Sequence, residues 1–386
     1  DFMINQNNDA IRHLEKDMAD ILEIMLEKDT VEIICNPYKK PDGSYEGHIL
    51  LDKHGVGLHN FKNDNLEIVK MSASKIETII SVLASISGKF IHAKQPYLEC
   101  KIPKYGHRFT AVIPPASNFP SFCIRKHSPK VYSLEDFVSQ GVMQATSCET
   151  IRSWIERKYN ILIAGGTGSG KTTLANAILN EIVAKFPDTR MLVIEDVPEL
   201  QFDTSRSIGL ALSDAFNVND ALRLSLRFKP DRIIMGEIRG SEAYTLLKAW
   251  NTGHPGGVAT IHANGVKEAL YRFESCIRDH HLAKVNRQEI GFTINGIIAI
   301  QNITDRELVD GSYINTTKRK ITALRQIMQY DVEMDIYQDI IYDNINGEQV
   351  VISYMTSKVL DWKYISVLPI RVFMEKVAYA RKITMY

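Results

Sequence analysis

Eight consecutive residues, Gly165-Gly166-Thr167-Gly168-Ser169-Gly170-Lys171-Thr172, fit the pattern G-x-x-x-x-G-K-[ST] in full. Each residue type has a chemical reason to be there. Glycines let successive backbone N–H groups turn inward and form a nest around phosphate oxygens. A helix that follows such a loop points its positive end at the same anion. Lys171 supplies a mobile point charge for β- and γ-phosphates, and the Thr172 hydroxyl is a ligand for Mg²⁺, with Thr173 beside it in the first helical turn. The chemistry is binding and transfer of a nucleotide's phosphoryl group, with ATP as substrate and Mg²⁺ as cofactor.

Phosphoryl transfer to water also needs a carboxylate that orients the nucleophile and another that holds Mg²⁺ through its water shell. Two apolar runs deliver acids where a parallel sheet would end. One is Met191-Leu192-Val193-Ile194-Glu195-Asp196-Val197-Pro198-Glu199, the other Arg232-Ile233-Ile234-Met235-Gly236-Glu237-Ile238-Arg239. Glu237 is the first choice for orienting the water and Glu195 the second; Glu199 reads equally as a surface acid or a magnesium-shell residue. A glycine-rich segment follows, Thr252-Gly253-His254-Pro255-Gly256-Gly257-Val258-Ala259-Thr260-Ile261-His262-Ala263-Asn264. Its histidines, His254 and His262, are candidates for sensing the γ-phosphate, although an isolated histidine is more often packed or on the surface.

The elements that must position these groups are legible from periodicity. An apolar strand at 160–164, the glycine loop, a helix at 172–185 and a strand at 190–195 begin a parallel, doubly wound α/β sheet. Strands at 232–235, 257–261, 294–300 and 319–328 continue it, and a helix at 150–158 precedes it. Upstream, apolar residues at 3.6 spacing predict helices over 8–28 and from Ile76 to Ile86. Short strands are expected at 31–35, 47–51, 57–61, 97–102 and 107–113, with turns at His54-Gly55 and from Pro103 to Gly106. The expected order is an α+β domain (1–130), a linker with one short helix (131–150), an ATPase domain (151–330) and a C-terminal extension (331–386) that carries no recognisable motif.

Composition excludes several classes. Acidic and basic residues balance at 46 each, so no global field draws the chain to nucleic acid or an anionic membrane. Five scattered cysteines contain no C-x-x-C pair, which removes the usual zinc and disulfide frameworks and suits a reducing compartment. No apolar run approaches the roughly 18 residues of a membrane span, and the polar amino terminus does not read as a secretory signal. It opens on Asp1 rather than Met, so a few further residues are expected ahead of it.

Taken together, the glycine loop, I-E-D-x-x-E-L at 194–200, G-E-I-R at 236–239, and T-G-H-P-G-G followed by T-x-H-A resemble the secretion ATPase superfamily of type IV secretion, type II secretion and type IV pili. The resemblance covers about residues 30–330 and is specific between 160 and 265. It implies a homo-hexameric ring of an N-terminal α/β domain and a RecA-like domain with a mainly parallel sheet, ATP lying between the two. It also implies an Asp box at Glu195, Asp196 and Glu199, a Walker B glutamate at Glu237 and a His box at His262. N-terminal arginines that meet the γ-phosphate match Arg108 and Arg125, with Arg227 a further candidate. Gly240-Ser241-Glu242-Ala243 after Arg239 looks like the type IV secretion and conjugation branch, and the long tail is similar to Dot/Icm-type members. The implied function is a cytoplasmic Mg-ATPase, peripheral at a bacterial inner membrane through secretion-system partners, that powers translocation or assembly. A pilus retraction or assembly ATPase and a nucleotide-gated scaffold with little turnover remain open beside it.

Overall fold

The computed structural model describes residues 11–27, 29–53, 56–126, 132–202, 205–213, 215–280, 283–309, 312–332, 336–345, 348–357 and 362–369. They fall into two compact units, Asp1–Pro129 and Lys130–Tyr386.

In the first unit the strands are β1 (Thr30–Lys39), β2 (Tyr45–Lys53), β3 (Gly57–Asn60), β4 (Lys70–Met71), β5 (Tyr97–Lys101), β6 (Arg108–Val112) and β7 (Ser121–Arg125). They form one sheet in the order β3-β2-β1-β7-β6-β5, with β4 against β2. Every pairing is antiparallel. The expected turn at His54-Gly55 lies outside the described residues. Strand β7 was not expected, because it is five residues long with only alternating burial to mark it. The amino-terminal helical stretch, 11–17 and Ala19–Leu26, buries Leu14, Met18, Ile21, Leu22 and Met25. Helix Ala73–Ile86 opens at Ser72, whose hydroxyl accepts the Lys75 N–H, and buries Ile76, Ile79, Ile80 and Leu83. Apolar residues at helical spacing thus cover one face of the sheet.

The second unit holds β8 (Ile161–Gly165), β9 (Met191–Glu195), β10 (Ile208–Ala211), β11 (Arg232–Ile238), β12 (Val258–His262), β13 (Gly296–Val309), β14 (Ser312–Asp331), β15 (Ile336–Ile345), β16 (Glu348–Ser357) and β17 (Trp362–Pro369). Their order is β10-β9-β11-β12-β8-β13-β14-β15-β16-β17. From β10 through β13 every pairing is parallel. Strands β8 and β9 are buried at every residue, as parallel strands covered on both faces must be. From β13 onward the pairings are antiparallel. This corrects the mainly parallel sheet expected from sequence: the sheet is mixed. Strands β15, β16 and β17, within the expected C-terminal extension, continue the same sheet. The reason is connection length. Antiparallel neighbours need only a hairpin, whereas a parallel pair needs a longer crossover connection, usually through a helix. Among the described residues no helix is long and apolar enough to cross a membrane.

Candidate functional site: a phosphate loop at the carboxyl edge of the parallel strands

Strand β8 ends at Gly165, the loop turns, and helix Lys171–Lys185 begins. The turn requires glycine at two places by conformation, Gly168 at φ 69° and Gly170 at φ 96°. At Gly165 the reason is space, because a Cβ there would sit 2.3 Å from Ser169 Oγ and 2.4 Å from the Ile300 carbonyl. Lys171 Nζ donates to the carbonyls of Gly165 and Gly166, both at 2.9 Å, so the ammonium is folded over the start of the loop. Ser169 Oγ is buried without a hydrogen-bond partner. An orphaned hydroxyl inside a nest of amides fits a phosphate ligand, which supplies acceptors the loop itself lacks. Thr172 and Thr173 are half-buried in the first helical turn.

The acids separate by geometry. Glu195 ends β9 and is 7% exposed. Its Oε1 accepts the backbone N–H groups of Glu199 (2.8 Å) and Leu200 (2.9 Å), so this carboxylate ties the following loop to the strand. Gly236 makes room for it, since a Cβ at 236 would lie 2.8 Å from Glu195 Cγ. Glu237 is more open and accepts from Arg239 Nε at 2.9 Å and Nη2 at 2.8 Å. Arg239 also pairs with Asp196, and its carbonyl accepts from Arg272 at 2.9 Å. Arg239 is therefore a bridge between the two acidic segments. Arg239 stands in the G-E-I-R motif, but residue type alone gives it no role. Strand periodicity contains the signal, because residues two apart share a face. Glu199 contributes its backbone N–H to Glu195.

His262 closes β12, is exposed, and lies in register opposite Gly165. It stands at the same sheet edge as the loop. His254 does not join it. Its Nδ1 donates to the Pro230 carbonyl at 2.8 Å, ahead of β11 and β12 and thus at their amino ends. Arg227 also falls there, exposed in the turn after helix Val218–Ser225. The structure places both away from the loop, and for the same reason. Sequence proximity to a motif does not say which end of a strand a loop occupies.

In the first unit Arg108 and Arg125 face each other directly across β6 and β7. Arg125 Nε bonds Glu32 and Arg108 Nη2 reaches Glu99 at 3.4 Å. Like charges directly opposite are unfavourable in a sheet. Glu32 and Glu99 offset that cost and keep a two-arginine cluster at one place.

A model of the family described as "Type II/IV secretion system protein" matches residues 60–332. A probable conjugal transfer protein TrbB of Sinorhizobium fredii is 37% identical over 292 residues, 75% of this chain and 85% of the relative. The chain belongs to the type IV secretion and conjugation branch of this family. Type IV secretion system protein VirB11 of Bartonella henselae is 32% identical over 253 residues, 54% of this chain and 68% of that one. Among solved structures, the Legionella pneumophila ATPase DotB aligns at a TM-score of 0.51 and 21% identity, over 82% of this chain and 81% of that one. At that identity the likeness is one of fold. Membership of the secretion ATPases accounts for the order of the four motifs, and the geometry above shows which of their residues meet at one edge.

Proposed function

We propose that this chain hydrolyses MgATP and works as the motor of a type IV secretion or conjugation apparatus. The observation that carries the reading is the convergence of three neighbouring parallel strands. β8 delivers the phosphate loop, β11 Glu237 and β12 His262 to one edge, where ligands bind in such sheets. Glu195 is buried and spends one oxygen on two loop amides, whereas Glu237 is more open, so we read Glu237 as the group that orients water. In the reaction the water oxygen bonds to the γ-phosphorus while the β–γ bridging bond breaks, and Lys171 offsets the charge that develops on the leaving oxygens. Thr172 would hold Mg²⁺, with Asp196 and Glu199 beyond its water shell. Among the described residues no three His, Cys, Asp or Glu groups form a metal cage. That suits an ion that shares its shell with phosphate oxygens and water. When bound, the ion would neutralise charge on the nucleotide's phosphate oxygens. His262 stands where it can follow the γ-phosphate. The Arg108–Arg125 pair is read as the N-terminal clamp on the same group, within a hexameric ring docked on inner-membrane partners. That assembly rests on family membership.

Glu237→Gln tests the core of the reading. Turnover should fall by about a hundredfold or more, the usual contribution of a positioned general base, while ATP affinity is kept. A variant that hydrolyses ATP at the wild-type rate would move the role away from Glu237.

A further inference from the structure

The hairpin of β13 and β14 runs past the carboxyl end of β8 and lies against the phosphate loop. In its ladder Asn302 faces Arg319. Both reach the same loop carbonyl: Asn302 Nδ2 is 3.3 Å, and Arg319 Nη2 3.4 Å, from Gly168 O. The guanidinium also covers Gly170. A Cβ on that glycine would sit 2.7 Å from Arg319 Cδ and Nε and 2.8 Å from Cζ. Gly170 is thus required twice, by its φ of 96° and by the arginine laid across it.

Arg319 is unusual in its surroundings. Its Nε is buried and has no hydrogen-bond partner. Among the described residues no carboxylate pairs with it, whereas Arg325 on the same strand is matched by Asp339. Burial pulls the Arg319 guanidinium below its ordinary range, partly countered by the nearby Tyr132 phenol. A half-buried cation with no counter-ion is unfavourable unless an anion arrives. Among the described residues, the loop it adjoins is the phosphate-binding pattern at 165–172.

We propose that Arg319 is a positioning residue of the nucleotide site, a second cation beside Lys171 that holds Gly168–Gly170 in the nest conformation and whose charge the bound polyphosphate balances. This rests on the ATP-binding reading above. It adds a contribution from the antiparallel hairpin, outside the four family motifs. The hairpin register, and with it the mixed sheet, becomes part of the phosphate site.

The test uses the full chain, with ADP and ATP as probes and melting temperature and affinity as readouts. Arg319→Met removes the charge and keeps most of the volume. Without nucleotide it should melt at or above the wild-type temperature, because an unbalanced buried charge is gone. Its affinity for ADP and ATP should drop about tenfold, as expected for one charge-assisted contact. The slope of log Kd against log salt should become shallower, a change that loss of packing alone does not produce. Arg319→Lys should recover part of the affinity. Wild-type affinity and salt slope in Arg319→Met would overturn the proposal. If Arg319→Met melts lower, Arg319→Lys decides: recovered affinity upholds the charge role, and affinity as weak as in Arg319→Met overturns it. Lys171→Ala separates this failure from the larger one. A wild-type chain that binds no ATP sinks the site reading itself, whereas loss of binding in Lys171→Ala with normal binding in Arg319→Met sinks only this inference.

Discussion

The two edges of the parallel sheet in the second unit carry similar residue types and put them to different use. Each edge has a glycine-rich loop, a histidine and an arginine with an unsatisfied buried nitrogen. At the amino edge Arg232 is 1% exposed, donates to the Gly256 carbonyl at 2.9 Å and lies 5.1 Å from the Phe186 ring centre. Burial takes its pKa down to about 10. His254 is tied to Pro230 in the same region. Arg232 and His254 are thus held there by backbone carbonyls and packing. At the carboxyl edge, about 17 Å away by the rise of a five-residue strand, the glycines form a nest, His262 is exposed and Lys171 sits over the loop. The difference comes from polarity. β8, β11 and β12 each turn into a helix at their carboxyl ends, so helix amino termini and their free N–H groups collect there. The same chemical letters mean core at one edge and ligand at the other.

The largest effect that tests this contrast is Lys171→Ala, which should weaken ATP binding by about a hundredfold and remove hydrolysis, losing the lysine's stabilisation of phosphate charge. Normal turnover would place the nucleotide elsewhere. The histidines come next. His262→Ala should lower kcat by about tenfold with stability unchanged, while His254→Ala should cost about 1 kcal/mol of stability, the worth of one hydrogen bond, with kcat unchanged. Turnover and urea unfolding of the pair would read this out, and the reverse pattern would exchange the roles of the two edges. The smallest effect is expected for Arg232→Met. Its stability should stay within about 1 kcal/mol of wild type, since replacing a poorly paired buried charge by an apolar side chain is often neutral. ATP affinity should be unaffected. A loss of affinity like that expected of Arg319→Met would show that the amino edge also takes part in binding.

Local chemistry made much of the site readable in advance. The loop needs glycines at fixed places because backbone conformation is a property of a few neighbouring residues, and helix Lys171–Lys185 follows it for the same reason. Strands β9, β11 and β12 announce themselves as short apolar runs bounded by acids or glycines. The antiparallel extension was harder. Residues 312–369 contain strands with no catalytic motif, and a strand's own pattern does not name the neighbour it pairs with. Arg239 was within reach of periodicity, since Glu237 and Arg239 are two apart at a strand end.

The sequence by itself determined that a glycine loop of the phosphate-binding pattern stands at 165–172, that acids follow it at strand ends, and which family the motif order belongs to. These are matters of residue type and short spacing, which the chain carries locally. Tertiary structure alone decided the rest. It separated Glu195 from Glu237 by giving one of them two loop amides to hold. It sent His254 and Arg227 to the amino edge, set Arg108 against Arg125, and laid Arg319 across a glycine 149 positions earlier in the chain, Gly170. Each of those outcomes depends on strand order and register, and register is fixed by which buried faces pack together across long separations.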